Sequence, residues 1–408
     1  MRPAFQKGST VKKFLGALKD DLAGAAPARG RVVYLVATSG HPNWGDELIL
    51  RRWLRLLART EPDATVWVDT PAPGPTATLM AGEHPNLRTT DTLYRLGWEA
   101  PTDDAREVAQ FVRRALDDAG SAPRWIPGIA VLQSLAAGDV LHVIGGGYIN
   151  SVWPRHLGVV AAAAWVGENT RARVAATGLG LLPADQDVRD VWADCAPHFD
   201  LLAVRDEPSL DIVDANQGAT LEPDDALLGG LTGVVGKHAA GAPAVMICVQ
   251  QDMLAGEFDE VADAVRAILK GWGVTSGRDV GFVECIPRMD RRIYDVLKDE
   301  LPGARFYGLW EILRDGLPAR PGQRWISSRY HPHLIAAAAG ASGVALSVSK
   351  DYYAVKHGAV AALGSEWTLA TLDDGAVDAG GPGTLPARAA GHSARLLAMA
   401  KRIYAARR

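Results

Sequence analysis

Cysteine is scarce in this chain. The three that occur in 408 residues, Cys195, Cys248 and Cys285, are odd in number and far apart, so spacing suggests neither a disulfide framework nor a metal knuckle. Such usage suits a reducing cytoplasm. His-Glu-x-x-His, Cys-x-x-Cys and an acidic calcium loop are missing, which leaves a bound metal without support. Also missing are a P-loop, a closely spaced Gly-x-Gly-x-x-Gly and a Gly-x-Ser-x-Gly after a strand. P-loop phosphoryl transfer, a dinucleotide fingerprint and serine hydrolysis are thereby set aside. Uncharged runs such as Leu157 to Gly167 stop well short of a membrane span, and the first thirty residues lack the apolar centre of a signal peptide. With a net charge of −4 and no long basic run, the chain has no electrostatic footprint for nucleic acid. A small molecule or a glycan is the expected partner.

What is present is ordinary soluble composition, 48% hydrophobic and 22% charged, arranged as alternating strands and helices. Val32–Ala37 reads as a buried strand, and the helix after it turns Ile49, Trp53, Leu56 and Leu57 inward and Arg51, Arg52, Arg55 and Arg59 outward. Strands follow at Val140–Ile144, Arg173–Thr177 and Leu201–Val204. After a Gly-rich run at 229–243 the alternation restarts with Ala244–Val249, Gly281–Glu284, Trp325-Ile326 and Val344–Val348. Repeated βα units imply parallel sheets with right-handed crossovers. The predicted fold class is therefore α/β, two Rossmann-like domains with parallel sheets facing across a cleft. The expected division is an extension over 1–30, a first domain over 31–228, a linker over 229–243 and a second domain over 244–386. A C-terminal helix over 387–408 is expected to pack across both. Within the extension, Val11 to Leu22 is weakly amphipathic, which leaves peripheral membrane contact open.

Ligands in open α/β sheets collect at the carboxyl ends of strands, so the residues there are the site candidates. The turn after the first strand carries Asn43 and Asp46, either as helix caps or as ligand contacts. Gly145, Gly146 and Gly147 end the Val140 strand, where they let backbone approach a ligand or a helix pack tightly. Arg205-Asp206 ends the Leu201 strand, as an ion pair with a cap or as part of a site. Arg329, Tyr330 and His331 stand where the Trp325 strand hands over to a helix, with Pro332 read as its first position. The next strand ends in the turn Ser349-Lys350-Asp351, and Lys356 follows. Arg329, His331 and Lys356 together favour an anion site over three separate structural roles.

The ordered set Asn43-x-Gly45-Asp46-Glu47, Gly145-Gly146-Gly147, Arg205-Asp206-x-x-Ser209, Pro223-Asp224 and Arg329-x-His331 with the later Lys356 resembles the polysaccharide pyruvyl transferase family. It spans roughly residues 32 to 360. The resemblance implies a GT-B-like fold, phosphoenolpyruvate as donor substrate, no cofactor, and donor recognition by Arg329, His331 and Arg205. It implies polysaccharide biosynthesis for the cell envelope, in the cytoplasm or at the inner face of the membrane. Tyr330 departs from it, since the family commonly has Leu there.

The implied chemistry suits the residues. Guanidinium groups match carboxylate and phosphate with paired hydrogen bonds, and a histidine can move a proton at neutral pH. His331 is thus the expected general acid and Asp46, on the opposing domain, the expected base or sugar acceptor. A glycan or glycolipid hydroxyl pair would receive the pyruvyl group as a ketal. The alternatives are a GT-B-like glycosyltransferase using a nucleotide sugar, and a noncatalytic glycan-binding homologue.

Overall fold

The computed structural model describes residues 30–216, 218–252, 257–348 and 352–405, with the side chains of 352–354 excluded. The amphipathic segment Val11 to Leu22 and the turn Ser349-Lys350-Asp351 lie outside the described residues. Two parallel sheets carry the chain. The first runs in the order β3-β2-β1-β4-β5-β6-β7, from β1 (Val32–Val36), β2 (Thr65–Asp69), β3 (Leu87–Thr90), β4 (Val140–Val143), β5 (Arg173–Leu179), β6 (Leu201–Val204) and β7 (Thr220–Leu221). The second runs β10-β9-β8-β11-β12-β13, from β8 (Val245–Cys248), β9 (Val280–Val283), β10 (Arg305–Tyr307), β11 (Arg324–Ser327), β12 (Ser342–Ser347) and β13 (Thr368–Thr371). Both reverse direction beside their first strand, β1 against β4 and β8 against β11. These reversals are the switch points where doubly wound sheets bind ligands.

The strands form for a plain reason. Val-Val-Tyr-Leu-Val in β1 and Val-Met-Ile-Cys in β8 are buried at every position, as strands covered on both faces by helices must be. Around the first sheet, the helix Ala105–Asp117 is capped by Asp104, whose carboxylate accepts from the amides of Arg106 and Glu107. The helix Leu157–Asn169 lies against it with small residues inward. An added Cβ at Gly158 would come within 2.8 Å of Val112, so glycine there sets how closely the two helices approach.

By compactness the chain divides into two units. Among the described residues, one holds 30–41, Trp53–Glu222 and 400–405; the other holds Pro42–Arg52 and Pro223–Met399. Two short segments are therefore exchanged. The helix Trp44–Thr60 gives its first turns to the second unit, where the Trp44 amide donates to the Cys285 carbonyl at 3.0 Å. The helix Leu385–Tyr404 gives its last turn to the first unit, where Tyr404 Oη meets His142 Nδ1 at 2.7 Å and its carbonyl accepts from Arg31. The Gly-rich run at 229–243, expected as a linker, is part of the second unit's backbone pairing: Gly236 donates to Leu317 and Leu317 to Val234, each at 2.7 Å. A Cβ on Gly236 would meet the carbonyl of Gly316 at 2.9 Å, so glycine here serves close pairing of two backbones.

Candidate active site

The second unit's switch point is built from the turns after β8 and β11. They are stitched together: Ser328 donates its amide to the Cys248 carbonyl at 3.1 Å, and Gln250 donates its amide to Ser328 Oγ at 2.9 Å. From this seam rises the helix Tyr330–Ala338, with Arg329 as its first flanking residue. Pro332 occupies the third helical position, not the first. A first-turn amide has no partner within the helix, so its loss there costs little.

His331 is the centre of the arrangement. Its ring lies against Gly45, in the first turn of the Trp44 helix, so closely that a Cβ on Gly45 would fall 1.8 Å from Nδ1. Only glycine admits the imidazole. On its other side, Nε2 stands 3.6 Å from Oδ1 of the buried Asp224, a contact longer than a hydrogen bond. Nε2 is buried and makes no hydrogen bond. Asp224 is held by its cap to the Ala226 amide at 2.8 Å. The Tyr330 ring meets His331 edge to face at 5.1 Å. Beside it, Asn43 accepts from the Gly45 amide and donates to Asp46 Oδ2 at 2.9 Å, so both act on the helix start. Asp46 and His331 belong to one unit, whereas the sequence reading put them on opposing domains. The reason is the exchange of Pro42–Arg52, which no composition shift announces.

Arg329 differs from expectation. Its guanidinium is engaged by two carboxylates: Nε and Nη2 donate to Asp290 Oδ1 at 3.0 and 2.6 Å, and Nη2 donates to Asp252 Oδ1 at 2.5 Å. The fork expected to clamp an anion is already filled. Asp290 is fully buried and its second oxygen accepts the amides of Cys285 and Ile286. Burial raises its pKa while the Arg329 charge pulls the other way. The thiols of Cys248 and Cys285, 37 residues apart in sequence, come within 3.6 Å because β8 and β9 are neighbours. With Asp290 they form a cluster of metal-ligand types. That donor set does not fit a cation: both oxygens of Asp290 are spent, and a guanidinium occupies one of them.

His333 points elsewhere, to His357 Nδ1 at 3.0 Å and Ser365 Oγ at 2.9 Å, with the Trp367 ring stacked on it. Burial drives His333 well below the usual histidine range and takes His357 to about 4, helped by the neighbouring Lys356 charge. Lys356 itself is half-buried on the helix Tyr352–Ala362.

In the first unit, the glycine run ends β4. Gly146 has φ 148°, donates its amide to Gly178 and accepts from Gly180, so its backbone continues the sheet toward β5. Gly147 offers its carbonyl to Asn150 Nδ2. Gly145 leads into the same turn. Arg205 is buried with its guanidinium against Gly180, where a Cβ would come within 2.7 Å of Nε. Asp206 caps the Ser209 amide at 2.9 Å, the capping part of the reading as an ion pair with a cap.

Asp252 and Asp290 were invisible in the sequence as site residues. Asp224 stood only in the motif set.

Compared with known proteins, the sequence matches the model of the polysaccharide pyruvyl transferase family over residues 43–251, about half of the chain. No curated protein matches it. Among solved structures the chain is similar to a UDP-GlcNAc 2-epimerase from Neisseria meningitidis, at 11% identity over 92% of this chain and 93% of that one, TM-score 0.45. It is similar also to UGT2 of Phytolacca americana, at 12% identity over 92% and 96%, TM-score 0.46.

Proposed function

From a chain that belongs to the polysaccharide pyruvyl transferase family, we propose an enzyme that moves the pyruvyl group of phosphoenolpyruvate onto two hydroxyls of a cell-envelope glycan or glycolipid. One observation carries this reading. His331 lies beyond the matched stretch, yet its ring is set against Gly45 and beside Asp224, both inside it. The matched residues thus converge on a histidine at a switch point, where the second unit's ionisable side chains gather.

In the proposed reaction His331 delivers a proton to the methylene carbon of the donor, leaving positive charge on C2. A sugar hydroxyl attacks C2, the C2–O bond to phosphate breaks, and the second hydroxyl closes the ketal. Two hydroxyl protons are released; one restores His331 and the other leaves with phosphate. Asp224, within reach of Nε2, steadies the protonated ring. Asp46 is proposed to accept from the sugar. Lys356, in the same unit as His331, is the proposed anion contact, while Arg329 organises Asp252 and Asp290.

The test is phosphate release from phosphoenolpyruvate in the presence of envelope glycans, with nucleotide release from sugar nucleotides as the competing assay. His331→Gln is expected to lower turnover about 100-fold or more while calorimetry shows donor affinity retained. Turnover near that of the parent protein would remove His331 as the acid. Nucleotide release without phosphate release would replace the reading by glycosyl transfer.

A further inference from the structure

Exposed tryptophan is uncommon, and the first unit places two around one histidine. Trp98, on the helix Thr92–Glu99, is 52% exposed, and Trp153, shortly after the glycine run, is 36% exposed. The Trp153 ring stacks on His156 at 6.3 Å and 24°, and the Trp98 ring meets the same imidazole edge to face at 6.5 Å. His156 is buried, and Nδ1 is bonded to the Tyr148 carbonyl at 2.7 Å, one residue beyond Gly147. The pair of indoles is thereby tied to the turn at the carboxyl end of β4.

The patch is also fixed from beneath. Arg155 donates to the carbonyls of Trp98 and Ala100 at 2.6 and 2.9 Å and to Asp103 at 2.5 Å. Its guanidinium stands 5.8 Å from the Trp98 ring centre. A Cβ on Gly97 would meet the Arg155 carbonyl at 2.5 Å, so this glycine lets the two segments close on each other. Both rings pack against fixed neighbours, Trp98 against Arg155 and Trp153 against His156, which lowers the entropy lost on binding.

We propose that Trp98 and Trp153 form a platform for sugar rings of the acceptor glycan. Indole faces pack on the apolar C–H faces of pyranoses. The charges at the rim are balanced, Asp103 against Arg155 and Glu99 against Arg124. A neutral, hydroxyl-rich chain finds both donors and acceptors there. An anionic bilayer, which is drawn by basic excess, finds none. The platform rests on the reading of the chain as a glycan-modifying transferase, but its test does not need turnover.

Cellohexaose, laminarihexaose and mannohexaose are titrated into the full chain without donor, followed by saturation-transfer NMR and calorimetry. At least one is expected to bind, and the combined Trp98→Ala, Trp153→Ala variant to bind it about 10-fold more weakly, with unchanged melting and unchanged phosphoenolpyruvate affinity. Failure of all three to bind, or equal binding by the variant, overturns the platform. So does tryptophan-dependent binding to phosphatidylglycerol vesicles, or tryptophan-dependent self-association in sedimentation. Tryptophan-dependent sugar binding without phosphate release from phosphoenolpyruvate would keep the platform and sink the pyruvyl-transfer reading alone.

Discussion

The two sheets share one strand order up to the first sheet's extra edge strand, yet their carboxyl ends are chemically unlike. At the second sheet the turns carry ionisable side chains set against one another: Arg329 with Asp252 and Asp290, and His331 with Asp224. At the first sheet they carry glycine backbone, hydroxyls and the buried Arg205 and Asp206, the latter a helix cap. Thr70 Oγ1 donates to the Ser39 carbonyl at 2.6 Å, and Thr76 Oγ1 donates to Ser39 Oγ at 3.1 Å. One buried acid there, Asp69, accepts from Tyr34 Oη and the Leu93 amide, and burial takes its pKa up to about 7. The same topology thus delivers loops to equivalent places, and the loops alone decide whether charge is paired or suppressed.

The largest expected effect tests the paired side. Arg329→Gln leaves Asp290 buried without its countercharge, and breaking such a pair typically costs about 3–5 kcal/mol. Urea unfolding of the variant against the parent protein reads this. A loss under about 1 kcal/mol would mean that the two backbone amides satisfy Asp290 alone, and the contrast between the two sheet ends would shrink accordingly.

The suppressed side is tested by pH. The folded-state pKa of Asp69 lies above its unfolded value, so the folded protein binds this proton more tightly. Its contribution to stability is full below the unfolded pKa near 4 and is lost as pH rises through about 7. Between pH 5 and pH 8 that loss amounts to roughly 2–3 kcal/mol. The buried histidines act in the opposite sense: the depressed pKa values of His142, at about 3, and His357, at about 4, make stability fall below the histidine range. The difference between parent and Asp69→Asn therefore isolates the acid. Denaturant midpoints at pH 5 and pH 8 should converge toward equal stability in the variant once the histidine trend, common to both proteins, is subtracted. Parallel pH profiles would show that Asp69 stays ionised in the fold.

Much of this contrast was legible in the sequence, and where it was not the cause is physical. Continuous apolar runs announced β1, β4, β8 and β11, the strands next to both switch points. The edge strands β3, β10 and β13 passed unread because Leu-Arg-Thr-Thr, Arg-Phe-Tyr and Thr-Leu-Ala-Thr are half exposed and lack any such run. His331 was legible as a strand-end histidine. The engagement of Arg329 was not, since its carboxylates come from 77 and 39 residues away in a sheet whose pairing spacing cannot reveal. The membership of Asn43 and Asp46 in the second unit was hidden for a related reason: a helix whose periodicity is unbroken crosses from one unit to the other at Arg52.

That crossing gives the finest test, because Asn43 can be a cap, a ligand contact, or both. As a cap it accepts the Gly45 amide at 3.3 Å and steadies Asp46, and replacing such a residue by alanine costs about 1 kcal/mol. Asn43→Ser keeps an acceptor oxygen and should recover most of that stability. The two variants differ little in size at a position only partly exposed, so a stability difference between them reports the hydrogen bond. If capping is the whole role, phosphate release should follow melting temperature, with Asn43→Ser close to the parent protein and Asn43→Ala slightly below. If the amide also holds the acceptor sugar, both variants lose the same amide and should show a raised KM for the glycan whatever their stability. Equal glycan KM in all three proteins would confine Asn43 to the helix start and leave His331 and Asp224 as the chemistry of that turn.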